Sequence, residues 1–191
     1  MKAAIVYKSK TGNTGRYARW IQESTGFDLV PFERVSLSHL AACDLIIFGS
    51  RVHAGRVEGL KKITSFLPDR QKTRLVVFAT GATPAGAEEA IDSIWKASFS
   101  EEERKTIPHF YLPGGLNYEK MGIMDWLIMK SLAAILSCKR IKSAAEAGCQ
   151  QAIRRSYDLS GREAIRPLLL CVQNLMGGSV QVPDREECSI E

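Results

Sequence analysis

The chain has 191 residues, of which 45% are hydrophobic and 25% are charged, with a formal net charge of +5 and a sequence pI of about 9.0. These proportions exclude a globally disordered chain and suffice for one domain with a sizeable core. The basic excess suits an anionic ligand, an anionic membrane surface or simply a solvated basic surface. Because the basic residues are scattered and no nucleic-acid-binding motif is present, we expect no nucleic-acid partner.

Cysteine usage and the start of the chain indicate where the protein works. Five cysteines are present, none of them in a C-x-x-C pair, and no Cys/His cluster has zinc spacing, so no metal is expected. Their odd number argues against a disulfide framework and favours a reducing cytoplasm. The first residues lack the pattern of a signal peptide, and no run of about 18 uncharged apolar residues predicts a membrane-spanning helix.

Short apolar runs rich in β-branched residues alternate with helical patterns over the first 115 residues. The predicted strands cover residues 3–7, 28–32, 44–48, 74–79 and 107–112. The predicted helices between them include residues 14–23, 59–67 and 86–97. This alternation is typical of βαβ units, and it predicts a doubly wound α/β fold with a five-stranded parallel sheet.

Polar turns that contain glycine follow the first, third and fourth predicted strands, at residues 9–14, 50–55 and 80–86. We call them the first, second and third loops. In an open α/β sheet, ligands bind at the carboxyl ends of the strands, where the strand order reverses. We therefore expect these three loops to build the binding site.

The first loop combines hydroxyl groups with a tight turn between a strand and a helix. Its residues, all assigned to cofactor binding, are Ser9, Lys10, Thr11, Gly12, Asn13 and Thr14. Gly12 and Asn13 permit a turn with exposed backbone amides, and the following helix directs its positive dipole end at the same point. Such a loop predicts a site for a phosphate monoester, although a plain polar turn with a helix N-cap has a similar composition.

The first loop also carries a resemblance to a known family. It lacks the P-loop pattern G-x-x-x-x-G-K-S/T and the pattern G-x-G-x-x-G, but it matches every specified position of S/T-x-T-G-x-T. The chain therefore resembles the flavodoxins over roughly its first 115 residues. This resemblance implies a bound FMN and a strand order of 2-1-3-4-5. The residues that it assigns to the FMN phosphate are Ser9, Thr11, Asn13 and Thr14.

The resemblance implies that the second and third loops frame the flavin ring. The residues assigned to this role are Ser50, Arg51, Val52, His53, Ala54 and Gly55, with Thr80, Gly81, Ala82 and Thr83. Neither loop has the Trp or Tyr that commonly stacks on the ring in flavodoxins, so His53 is the candidate for covering one face. Arg51 and His53 also fit the description of ordinary polar loop residues.

A narrower resemblance follows the last predicted strand. The run Gly-Gly-Leu-Asn-Tyr at 114–118 and the run Met-Asp-Trp-Leu-Ile-Met-Lys at 124–130 resemble the corresponding segment of the menaquinone-dependent protoporphyrinogen oxidases. Those are flavodoxin-like proteins with an additional helical insertion. The resemblance implies an insertion at about residues 116–157 with a part in membrane contact or in quinone and substrate access.

The pattern of residues 120–138 predicts a long apolar helix, which a basic cluster follows at Lys139, Arg140 and Lys142. Such a helix can contact an anionic membrane through residues 120–142, here at the inner face of the cell membrane. A core helix and a homodimer interface are the alternatives.

The end of the chain predicts one more helix. It begins near Asp158 or Ser160 and runs through residues 168–172, although Pro167 falls inside it and proline breaks a helix interior. We expect a single domain over residues 1–176 and a loose polar tail over 177–191.

The sequence thus predicts an FMN-dependent oxidoreductase that passes electrons between a reduced donor and a quinone-like acceptor, with a porphyrinogen substrate by resemblance alone. One alternative is a flavodoxin-type electron carrier without its own substrate, and another is a non-enzymatic flavodoxin-fold module. Carriers of the family are usually acidic, whereas this chain is basic, which favours the enzyme. No catalytic triad or carboxylate pair stands out, and no catalytic residue is assigned.

Overall fold

The computed structural model describes residues 2–67, 74–83, 86–116 and 157–177. Five parallel strands form its central sheet: β1 (Ala3–Lys8), β2 (Asp28–Pro31), β3 (Leu45–His53), β5 (Arg74–Gly81) and β6 (His109–Pro113). Their spatial order is β2-β1-β3-β5-β6, with the short β4 (Arg56–Val57) antiparallel to the end of β3. Because β5 and β6 are the fourth and fifth parallel strands, the predicted order 2-1-3-4-5 is confirmed.

Helices cover both faces of this sheet. They are α1 (Asn13–Thr25), α2 (Leu37–Ala41), α3 (Leu60–Phe66), α4 (Glu88–Ser98), α5 (Glu101–Thr106) and α6 (Arg166–Met176), with 3₁₀ turns at Phe32–Arg34 and Arg162–Ile165. A separate two-stranded antiparallel ribbon pairs β7 (Gly115–Leu116) with β8 (Tyr157–Asp158). In the described ranges, no helix is long and apolar enough to cross a membrane.

The three central strands β1, β3 and β5 are buried on both faces, which explains why they contain continuous apolar runs in the sequence. On one face, alternate strand residues cluster with side chains of α3 and α4; these strand residues are Ala4, Val6, Ile46, Phe48, Val77 and Ala79. On the other face, the intervening residues cluster with α1 and α6; these are Ala3, Ile5, Leu45, Ile47, Val76 and Phe78. The sheet is therefore a rigid base for the loops at its carboxyl edge.

The last helix departs from the prediction. It begins at Arg166, not near Asp158 or Ser160, because residues 157–158 form β8 and a 3₁₀ turn precedes the helix. Pro167 lies in the first turn, where its missing N–H removes no helical hydrogen bond. The predicted helix at 120–138 lies outside the described residues, as does the predicted tail at 177–191 except for Gly177, which is the C-cap residue of α6.

Candidate functional site at the carboxyl edge of the sheet

The carboxyl ends of the three central strands lie side by side. Lys8 of β1 pairs with Ser50 of β3, which pairs with Ala79 of β5. The hydroxyl groups of Thr14 and Thr80, both buried, form a hydrogen bond of 2.7 Å between the first and third loops. The structure therefore brings the predicted loops to one edge of the sheet, as the sequence indicated.

The first loop turns directly into the start of α1. Gly12 is the N-cap residue, with a φ of 104°, a left-handed conformation that favours glycine. It supplies no side-chain cap, and no acidic residue occupies the first turn of α1. An anion at this position would satisfy the first N–H groups of the helix and interact favourably with its dipole.

Two buried serine hydroxyls belong to the first and second loops, and that of Ser9 lies beside the first turn of α1. The Oγ atoms of Ser9 and Ser50 are buried and have no hydrogen-bond partner among the described residues. The Thr14–Thr80 pair also retains one hydroxyl hydrogen to donate, because only one of its two hydroxyls donates to the other. Since a buried polar atom without a partner costs free energy, these groups fit a site that a polar ligand completes.

The hydrogen bond between Thr14 and Thr80 makes a stability prediction. We expect Thr14→Val to lower the free energy of unfolding by about 1–3 kcal/mol, because it leaves the buried Thr80 hydroxyl unpaired. The double variant Thr14→Val/Thr80→Val removes both hydroxyls and is expected to recover most of the loss. Urea unfolding of the three proteins checks this, and a double variant no more stable than Thr14→Val would contradict it.

The second loop differs from the prediction, because much of it is strand. β3 continues to His53 and returns through β4, with Val52 paired to Val57. The turn between them consists of Ala54 and Gly55, with φ values of 49° and 75°, as in a tight hairpin. The predicted strand end at residue 48 was therefore wrong, since residues 49–51 continue the parallel pairing with β1 or β5 and residues 52–53 pair with β4. His53 is exposed at its tip.

Arg51 belongs to an ion-pair cluster. The Glu58 carboxylate accepts from Arg51 Nε at 2.6 Å and lies 2.9 Å from Lys8 Nζ. Burial opposes ionisation of Glu58, but the hydrogen bonds from Arg51 and Lys8 outweigh it and hold the Glu58 pKa below its usual value. The cluster borders a cavity of about 160 Å³. The other residues that line this cavity are Ser9, Lys10 and Glu33.

Two tyrosines that the sequence analysis did not assign contact the third loop. The Tyr111 hydroxyl donates to the Thr83 carbonyl at 3.0 Å, and the Tyr157 hydroxyl donates to the Ala82 carbonyl at 2.9 Å. Tyr157 lies 75 positions along the chain from Ala82, so no local pattern could have revealed this contact.

The ribbon of β7 and β8 is also tied to α1. Arg16, in the first turns of α1, forms an ion pair with Asp158 and donates to the Ser160 hydroxyl at 2.6 Å. The Tyr17 hydroxyl donates to the Pro113 carbonyl at 2.6 Å and accepts from the Gly161 N–H at 3.3 Å. The residues on both sides of segment 117–156 are thus fixed against the helix that follows the first loop.

The buried Tyr17 hydroxyl should make the free energy of unfolding fall with pH in the alkaline range. Burial raises its pKa to about 12, above the value near 10 of an unfolded tyrosine. The unfolded state therefore releases this proton first, so a stabilisation fully present below pH 10 is lost as pH rises toward 12. We expect Tyr17→Phe to be less stable than the wild type at pH 8, with a difference that narrows by about 2 kcal/mol by pH 12. Urea unfolding of both proteins across this range checks it, and a constant difference would contradict it.

Comparison with known proteins places the chain in a family. The family model described as "Flavodoxin domain" matches residues 4–140. The chain therefore belongs to the flavodoxin-domain family, as its fold and first loop suggested. A search of curated protein sequences finds no significant match. Within the described ranges, no group of three His, Cys, Asp or Glu side chains is placed to hold a metal ion.

Solved structures with similarity to the chain include several of this fold. The two-electron reduced flavodoxin of Megasphaera elsdenii is 21% identical, with a TM-score of 0.40 over 48% of this chain and 78% of that one. A flavodoxin from the domain Archaea is 18% identical, with a TM-score of 0.41 over 81% and 100% of the two chains. The Trp repressor binding protein of Bacillus subtilis is 11% identical, with a TM-score of 0.43 over 81% and 100%.

Proposed function

We propose that the protein is an FMN-dependent oxidoreductase that passes electrons from a reduced donor to a quinone-like acceptor. The observation that supports FMN binding most directly is the buried, unpartnered Ser9 hydroxyl beside the uncapped start of α1. A phosphate dianion placed there would accept from the hydroxyl and from the first N–H groups of the helix. The remaining groups proposed to hold it are Thr11, Asn13 and Thr14.

The flavin ring is proposed to lie between the β3–β4 hairpin and the third loop. His53, exposed at the tip of the hairpin, is proposed to cover one face of the ring. The Arg51–Glu58 pair is proposed to fix the base of the hairpin, because it links β3 to the residue that follows β4. When bound, FMN supplies the redox chemistry, whereas the protein binds it, orients it and sets its electrostatic environment.

The choice of a quinone-like acceptor and of a porphyrinogen substrate depends on the sequence that follows the fifth parallel strand. Its resemblance to the menaquinone-dependent protoporphyrinogen oxidases supports both proposals, and the net charge of +5 supports an enzyme over the usually acidic carriers. Membrane contact through residues 120–142 is proposed from the same resemblance and from the apolar pattern and basic cluster of that segment.

Stopped-flow spectroscopy can separate the enzyme from the carrier. The FMN-loaded protein is reduced with dithionite without oxygen and then mixed with menadione, and the return of the flavin bands is followed. We expect reoxidation faster than that of free FMN at the same concentration. In a second arm, the oxidised protein is mixed with protoporphyrinogen, and porphyrin fluorescence is recorded. Reoxidation no faster than free FMN, with rapid electron transfer only to a redox protein, would favour the carrier.

A further inference from the structure

Three successive carbonyl groups at the end of β5 are held by donors on the two sides of segment 117–156. The donor and acceptor pairs are Gly114 N–H to the Gly81 carbonyl (2.9 Å), the Tyr157 hydroxyl to the Ala82 carbonyl (2.9 Å) and the Tyr111 hydroxyl to the Thr83 carbonyl (3.0 Å). A peptide unit is planar and trans, so its C=O and N–H point in opposite directions. Fixing the carbonyls of Gly81 and Ala82 therefore turns the N–H groups of Ala82 and Thr83 away from these donors.

We propose that Tyr157 is a positioning residue of the flavin site. Its hydroxyl fixes the Ala82 carbonyl and thereby aims the Thr83 N–H at the edge of the flavin ring. The inference depends on the proposed FMN site, because it assigns the third loop to the ring and the first loop to the phosphate.

The backbone around Tyr157 is anchored well enough for this role. Tyr157 pairs with Leu116 in the β7–β8 ribbon, and its neighbour Asp158 forms an ion pair with Arg16 of α1. Tyr157 and Asp158 together thus connect the third loop with the helix after the first loop. Because α1 begins at the phosphate site, Tyr157 sets the position of the ring-binding amides relative to the phosphate.

Tyr157 and Tyr111 are aligned with the third loop in different ways. Tyr111 belongs to β6, which is already hydrogen-bonded to β5 along Ala79–Gly81, so the sheet itself aligns it with the loop. No such strand pairing joins Tyr157 to β5 in the described part of the chain, since β8 pairs with β7. Its hydroxyl is therefore the contact that orients the Ala82 peptide from the ribbon side.

The test compares Tyr157→Phe with the wild type in the full chain. Affinities for FMN and riboflavin are measured by fluorescence quenching, and the visible spectrum of the bound flavin is recorded. Losing this hydrogen bond should weaken binding of both flavins by the same factor, roughly two- to tenfold, and shift the flavin bands. In the FMN-loaded protein, amide hydrogen exchange at residues 82 and 83 should speed up, because these amides are held less firmly against the ring.

Ser24→Ala is the control, because it also removes a hydroxyl that donates to a backbone carbonyl, that of Trp20 near the far end of α1, without a contact to the third loop. It should leave the flavin bands and the exchange at residues 82 and 83 unchanged. Suppose that the wild type binds FMN and that Tyr157→Phe leaves the flavin affinities, the flavin bands and the amide exchange unaltered. That result would overturn the inference about Tyr157 but not the proposed FMN site. If Tyr157→Phe bound FMN more weakly but riboflavin as well as the wild type does, the inference would also be overturned, because Tyr157 would then act on the phosphate. A wild type that binds neither flavin would overturn the proposed function as well.

Discussion

Replacing Ser9 with alanine should weaken FMN binding by about 10- to 100-fold without destabilising the flavin-free protein. The Ser9 hydroxyl is buried without a partner among the described residues, so its removal relieves a cost in the flavin-free state. We expect the free energy of unfolding to stay unchanged or rise by up to about 1 kcal/mol. The affinity falls because a hydrogen bond to a charged phosphate is lost, and such bonds contribute about 1.5–3 kcal/mol.

Riboflavin, which lacks the phosphate, should bind Ser9→Ala and the wild type equally well. The matched control is Ser24→Ala, which makes the same change near the other end of α1, where the hydroxyl donates to the Trp20 carbonyl at 3.0 Å. This control should leave both flavin affinities unchanged. Equal losses for FMN and riboflavin in Ser9→Ala, measured by isothermal calorimetry, would contradict the assignment of the first loop to the phosphate.

Gly49→Ala should cost about 3 kcal/mol or more of folding stability. Gly49 lies in β3, opposite Phe78 of β5, and an added Cβ would lie 1.9 Å from Phe78 Cζ. Phe78 is fully buried, so its ring has no free space into which to move without displacing the residues around it. The strand that leads to Ser50 would be displaced, and flavin affinity should fall with stability.

Urea or thermal unfolding measures this effect. Gly86→Ala is the control, because an added Cβ at this position meets no atom within 4 Å. The free energy of unfolding of this variant should change little. Gly49→Ala/Phe78→Leu should recover part of the lost stability, since the smaller side chain makes room for the methyl group. A Gly49→Ala variant as stable as the wild type would contradict the close packing of β3 against β5.

The features that sequence reasoning predicted well are those that neighbouring residues determine. Strands buried on both faces are continuous apolar runs, and their alternation with helical patterns was enough to predict a doubly wound fold with a five-stranded parallel sheet. The order of the strands was implied by the resemblance of the first loop to the flavodoxins. The first loop was recognised because hydroxyl residues and glycine lie together between a strand and a helix. The structure places Gly12 at the start of α1 and buries the Ser9 hydroxyl beside it.

The features that were missed depend on contacts between distant residues. The extension of β3 to His53 depends on pairing with β1, β5 and β4, and its polar sequence resembles a loop. The third loop is held by Tyr157, whose position follows from the pairing of β8 with β7 across segment 117–156. Pro167 is an exception, because its position depends on neighbouring residues: the 3₁₀ turn before α6 delays the start of the helix, so the proline lies in the first turn.

The most direct test of a phosphate-anchored flavin site is a comparison of FMN with riboflavin on the wild-type protein. The protein is purified, its visible spectrum is recorded, and the flavin-free form is titrated with each compound. We predict flavin bands in the purified protein and much tighter binding of FMN than of riboflavin, because the phosphate completes the site formed by Ser9 and the start of α1. A colourless protein that binds neither compound, or one that binds both equally, would contradict this account.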